Sequence, residues 1–128
     1  MRARPFVGVD ELGRDVFSSI DGVVHPKWQR WTDAQSEAAG RLLRGLHDAT
    51  AGSSLADGHE TVCHHDAGPN NFVVRDGLPV AMIDFDFAAP GARLDDLAYA
   101  GWGWCIASKR ERAPAETQAA QLRLLVDV

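Results

Sequence analysis

His64-His65-Asp66-Ala67-Gly68-Pro69-Asn70-Asn71 and, downstream, Ile83-Asp84-Phe85 decide how this chain is read. Together they supply a lone carboxylate, an amide shortly after it and a second carboxylate closing an apolar run. Gly68-Pro69 breaks the first stretch into a loop, and Thr61-Val62-Cys63 enters it as a short strand. Phe72-Val73-Val74-Arg75 and Pro79-Val80-Ala81-Met82-Ile83 flank Asp76-Gly77, a strong hairpin signal. Such a hairpin returns the chain antiparallel and brings Asp84 back toward the loop that carries Asp66 and Asn71.

Upstream, Phe6-Val7-Gly8-Val9 and Arg14-Asp15-Val16-Phe17-Ser18-Ser19-Ile20 read as the arms of a hairpin that ends at Asp21-Gly22. A connector from Val23 to Trp31 contains Pro26, which argues against helix there. Thr32 with Gln35 forms a capping-box pair, and Ala38, Ala39, Leu42, Leu43, Leu46 and Ala49 recur at helical spacing, predicting a helix over 33–50. Gly52-Ser53-Ser54 ends it. Downstream, Pro90-Gly91 reads as a break, and Leu94, Leu97, Ala98 and Trp104-Cys105 predict a helix over 93–107. Asp95 and Asp96 fall in its first turn, where carboxylates suit the helix dipole. A charged loop from Ser108 to Arg112 precedes a last helix marked by Ala119, Leu122 and Val126.

The 128 residues suit one domain, and the 45% hydrophobic content suits a globular core. A net charge of −5 excludes a general nucleic-acid or anionic-membrane binder. Cys63 and Cys105 form no disulfide framework, so reduced thiols and a cytoplasmic location are expected. No apolar run is long enough to span a bilayer, and residues 1–20 lack a signal-peptide layout.

Taken singly, Asp66 and Asn71 are ordinary turn residues and Asp84 is a strand-end residue. Taken jointly, they match a demanding chemistry. Kinase-type phosphoryl transfer uses one aspartate for the acceptor hydroxyl, and an asparagine and a second aspartate for magnesium. Magnesium prefers oxygen ligands, which Asn71 and Asp84 offer, leaving Asp66 to act as base. Asp86 reads as a solvated neighbour or auxiliary ligand. Cys63 to Asp66 invite a zinc reading, but four adjacent residues cannot all turn to one tetrahedral ion. His47 reads as a helix-surface residue, His59 as a loop residue, and Trp102 and Trp104 as core.

The motifs His64-His65-Asp66, Asn71, Ile83-Asp84-Phe85 and Pro90 through Ala98 resemble the aminoglycoside phosphotransferase (kanamycin-kinase-like) family. The similarity runs from the hairpin near Val7 to the helix near Trp104. Position 65 departs from the family's usual His-Gly-Asp. The resemblance implies an α+β, protein-kinase-like fold: a single partial domain over 1–128, with a remnant hairpin of the small lobe and the hinge in 1–22 and the large-lobe core in 23–128. It implies Asp66 as catalytic base, Asn71 and Asp84 as metal ligands, and His64 and Asp96 as structural residues of the loop. Phe17, Ser18, Ser19 and Ile20 would lead into a hinge that holds the nucleotide. Mg2+ and ATP are the implied cofactor and co-substrate, and a small-molecule hydroxyl, aminoglycoside-like or another metabolite, the acceptor.

The family's glycine-rich loop and ATP-clamping lysine precede the hinge, and no such elements stand before this hairpin. Only Lys27 and Lys109 are lysines, and both follow it. Two functions therefore stay open: an ATP- and magnesium-dependent phosphotransferase, and an inactive remnant that binds nucleotide or protein. In the second, the chain associates with itself or with another chain through apolar surface.

Overall fold

A computed structural model describes residues 5–26, 29–106 and 112–128. Both lysines, residue 107 of the predicted second helix and nearly all of the charged loop fall outside them, as do residues 1–4 of the proposed small-lobe segment.

The elements alternate as a mixed α+β chain. Strands β1 (Phe6–Val9) and β2 (Asp15–Phe17) form an antiparallel hairpin, so the second arm is shorter than the pattern suggests. Helix α1 spans Asp33–Thr50. Thr32 accepts from the Gln35 amide at 3.2 Å, and Gln35 accepts from the Thr32 amide at 2.9 Å, which closes the capping box. Strand β3 (Thr61–Cys63) leads into the central loop, and β4 (Phe72–Arg75) and β5 (Leu78–Met82) pair antiparallel. Asp76 and Gly77 carry φ of +52° and +80°, the doubly positive pair that a two-residue hairpin turn needs.

The break expected at Pro90-Gly91 is instead strand β6 (Ala89–Gly91), paired antiparallel with β3. Proline is tolerated there because β6 has a single neighbour among the described residues, so its missing N–H can lie on the open side. Helix α2 (Arg93–Gly101) does not continue as α-helix but passes into a π-helical turn at Trp102–Ile106. The two tryptophans, two residues apart, face opposite sides: Trp104 is buried, whereas Trp102 is exposed, contrary to the core reading. Helix α3 spans Ala115–Val126.

The core lies between α1, the β4–β5 hairpin, the π-helical turn and α3. Trp104 sits at its centre, with the Trp31 ring 4.8 Å and the Phe72 ring 5.1 Å away, the latter edge-on at 87°. Gln121 on α3 donates to the Trp31 carbonyl at 2.7 Å, tying the last helix to the connector. The β1–β2 hairpin stands apart from this core, with Phe6, Val7, Val9 and Leu12 exposed.

α1 and α3 approach closely at Gly40, since a Cβ there would run into the Leu125 backbone carbonyl. In an open helix, Gly→Ala gains about 1 kcal/mol. Here the sign should reverse: Gly40→Ala should lose about 1–3 kcal/mol through overpacking. Urea denaturation checks this, and an alanine variant as stable as the parent would refute the close packing.

Candidate functional site

The loop between β3 and β4 is held from beneath by one buried carboxylate. Asp96, fully buried in the first turn of α2, accepts from the backbone amides of His64 at 2.7 Å and His65 at 2.8 Å. Its Oδ2 also meets Nε2 of His47 at 2.8 Å. His47 is therefore not a helix-surface residue: it is 1% exposed. The signal lay in its spacing, four after Leu43 on the buried stripe of α1. Burial pushes the Asp96 pKa up, but the hydrogen bonds from His47, His65 and His64 outweigh it and hold the carboxyl below the ordinary aspartate range.

His64 braces the loop from the side. Its Nδ1 accepts from the Asp66 amide at 3.2 Å, so Nε2 carries the proton and donates to the Ile83 carbonyl at 2.9 Å. The ring packs on Phe85 with centroids 4.8 Å apart. One side chain thus ties the residue bearing the first carboxylate to the residue preceding the second.

His65 occupies the position where the resembled family has glycine, and its φ is +64°. That left-handed conformation favours glycine, and a side chain there carries strain. His65 offsets it by donating its amide to Asp96 and its Nδ1–H to the Phe87 carbonyl at 3.1 Å.

Asp66 and Asn71 are joined directly. The Asn71 amide donates to the Asp66 carbonyl at 2.8 Å and to its Oδ2 at 2.9 Å. Because the NH2 is committed to Asp66, the side-chain oxygen of Asn71 is the end left over, and it makes no hydrogen bond among the described residues. A short 3₁₀ turn at Pro69–Asn71 sets this direction. The Asn71 carbonyl then accepts from the Ile83 amide at 2.9 Å, extending the β4–β5 ladder by one step and placing Asp84 immediately beyond it.

Asp84 leaves the ladder with φ of +59° and an exposed side chain that makes no hydrogen bond among the described residues. It lines a cleft of about 500 Å³ with Phe17, Met82, Ile83, Phe85 and Asp86. The cleft thus brings Asp84 together with the first of the four hinge candidates, Phe17. Ser18 is anchored beside it through its amide, which donates to the Pro5 carbonyl at 3.0 Å, while Ser19 and Ile20 do not line the cleft.

Tyr99 escaped the sequence reading. Its hydroxyl donates to Oδ1 of Asp66 at 2.7 Å, and that contact, with partial burial, raises the phenol pKa. Its position three after Asp96 on α2 puts it on the helix face that meets the loop, which was the available signal.

The donor chemistry separates two candidate metal positions. Asn71 and Asp84 offer hard oxygens without hydrogen-bond partners among the described residues, which suits magnesium. His47, Cys63 and Asp96 form the tightest cluster of metal-type side chains among the described residues, with ligand atoms within 4.8 Å. There burial, with Asp96 and Asp95 nearby, pushes the Cys63 thiol up to about 11, and it donates to the Ala92 carbonyl at 3.1 Å. A protonated thiol beside a carboxylate already engaged by three donors is a poor ligand set.

The profile of the Phosphotransferase enzyme family matches residues 21–125 of the chain. The Trifolitoxin immunity protein of Rhizobium leguminosarum bv. trifolii is 36% identical over an alignment of 141 residues, which covers 94% of this chain and 53% of that protein. The chain therefore spans about half the length of the curated relative it matches. No helix among the described residues is long and apolar enough to cross a membrane.

Asp96 binds fewer protons folded than unfolded, so its contribution is complete above the ordinary aspartate pKa of about 3.9 and drains as pH falls through the lower folded value. Asp96→Asn should lose about 2–4 kcal/mol at neutral pH and flatten the acid limb of stability below about pH 4. Urea titrations at a series of pH values test this, and an unchanged acid limb would count against it. Separately, His65→Gly should stay within about 1 kcal/mol of the parent, strain relief offsetting the lost Phe87 bond. His64→Ala should cost about 3 kcal/mol, and equal effects of the two would contradict the assigned roles.

Proposed function

The chain belongs to the phosphotransferase enzyme family, and from that premise we propose that it carries the base and metal half of an ATP- and magnesium-dependent transfer to a small-molecule hydroxyl. The observation that carries this reading is the fixed direction of Asn71. Its nitrogen is spent on Asp66, and its free oxygen belongs to the residue laddered to Ile83, next to Asp84. Asp66, held on both carboxylate oxygens, is oriented to accept the acceptor's proton.

The residues that would hold magnesium are Asn71 and Asp84, the second of which lines the cleft with Asp86. When bound, the ion would neutralise charge gathering on the phosphate oxygens. Phe17, with Phe85, offers an apolar part of the lining for a nucleotide. The β1–β2 hairpin then reads as the end of a small lobe, and the rest as the large-lobe core of a protein-kinase-like fold, which the family implies. A relative named for immunity to a toxin favours an antimicrobial compound as acceptor, beside aminoglycosides and other hydroxyl-bearing metabolites.

A second reading is supported by the cleft itself. Its lining holds two aspartates and no cation among the described residues. Among the described residues no cation of the lining offsets the charge of phosphates there, which favours metal-dependent nucleotide binding without turnover.

Calorimetry with ATP, with and without magnesium, tests the common element. Binding at about millimolar ligand or below, dependent on magnesium, is expected, and Asp84→Ala should weaken it at least tenfold, about 1.4 kcal/mol. Binding indifferent to Asp84→Ala removes the metal assignment, and no binding removes both readings. ADP release with an acceptor panel then separates them: Asp66→Ala should abolish turnover while sparing nucleotide affinity.

A further inference from the structure

Tyr99 is the single tyrosine of the chain. Its hydroxyl donates to Oδ1 of Asp66 at 2.7 Å, while Asn71 donates to Oδ2 at 2.9 Å. Asn71 is 5% exposed and fixed by a second bond to the Asp66 carbonyl. Tyr99 is 41% exposed, with its ring edge near Gly68, so its side chain reaches the carboxylate from the solvent side. The two donors are therefore unequal: one belongs to the core of the loop, the other lies across its mouth.

A hydroxyl attacked at its proton by a carboxylate base must first donate a hydrogen bond to that carboxylate. The Tyr99 phenol makes this bond already. We propose that Tyr99 is a positioning residue of the acceptor side, its phenol holding the place on Oδ1 that an acceptor hydroxyl takes and keeping water from it until an acceptor displaces it. The proposal rests on the phosphotransferase reading above. It narrows the acceptor class to compounds whose hydroxyl reaches Asp66 past the α2 face that carries Tyr99.

With Tyr99→Phe the place on Oδ1 opens to water. The water oxygen then bonds to the γ-phosphorus as the bond to the bridging oxygen breaks. Asp66 takes the water's proton, and ADP and inorganic phosphate leave. A tyrosine that only props the loop would, when replaced, lower or leave unchanged the rate of this side reaction, whereas a placeholder raises it.

The experiment uses the full chain with ATP and magnesium and no acceptor. Tyr99→Phe should release ADP about tenfold faster than the parent or more. Tyr99→Phe with Asp66→Asn should return it to background, and nucleotide affinity by calorimetry should match between the parent and Tyr99→Phe. Release unchanged or slower in Tyr99→Phe, with affinity retained, overturns the proposal. Phosphate found on Tyr99 of the parent by mass spectrometry overturns it too, since the phenol would then be the acceptor. A readout without nucleotide is available because a tyrosine-selective carbon label gives one phenol signal in NMR. Asp66→Asn should shift that signal, and an unmoved signal overturns the placement whatever the nucleotide does. If the parent binds no ATP, the phosphotransferase reading fails and the placeholder role falls with it, and the NMR signal tells that failure from a misplaced phenol.

Discussion

The Asp96 carboxylate is the constraint on which the rest depends. One buried side chain accepts from His47 of α1 and from two successive amides of the loop after β3. A buried charge is costly unless its lone pairs are filled, and here three donors fill them. The cost of leaving it unfilled is what forces α1, the loop and the start of α2 into one arrangement. The carboxyl stays ionised against the pull of burial because the His47 side chain and the backbone amides of His65 and His64 all donate to it.

From this anchor the geometry passes outward in short steps. With the amides of residues 64 and 65 both bonded to Asp96, His65 takes the left-handed conformation. That turn delivers Asp66 with its carboxylate toward Asn71 and Tyr99, and His64 reaches under the loop to Ile83. Both residues with unfavourable φ around the loop, His65 and Asp84, flank the pair of ties made by His64. Strain at such positions persists only where surrounding bonds over-determine it, and these bonds do so. Preorganisation of this sort is what a site needs when positioning, rather than covalent chemistry, is its work.

Much of this was legible in the sequence, and the exceptions are physical. The capping box announced α1 to the residue, because Thr32 and Gln35 satisfy local donors that need no tertiary partner. Asp76-Gly77 announced the β4–β5 turn for the same reason: its φ values are a property of two residues. Strand β6 was hidden because Pro90 advertises a break, and only pairing with distant β3 makes it a strand. His47 was misread because a polar side chain on an apolar stripe looks like a boundary until its buried partner is known. Tyr99, still within α2, was missed although its spacing from Asp96 offered a signal, and Trp102 was misread because residues two apart on a helix do not share its buried face. The pairing of Asp66 with Asn71 was legible as a spacing, whereas the direction of the Asn71 oxygen required the carboxylate that claims its nitrogen.

The supports of the loop come from a narrow span. His47, His64, His65, Asn71, Ile83, Asp96 and Tyr99 all lie between α1 and α2, and none of their bonds reaches the β1–β2 hairpin. The hairpin, in turn, is held by its own ladder, by the Phe6–Phe17 ring contact and by the Asp10–Arg14 bonds at its turn. The geometry of Asp66 and Asn71 is thus insulated from the element that borders the cleft through Phe17. A two-stranded hairpin is marginal by itself, so the cleft wall it supplies is the less secure part of the site. Acceptor-side order and nucleotide-side order are therefore separable in this fold. The first is built into the α1–α2 block, and the second depends on how firmly Phe17 is kept at the cleft that Asp84 lines.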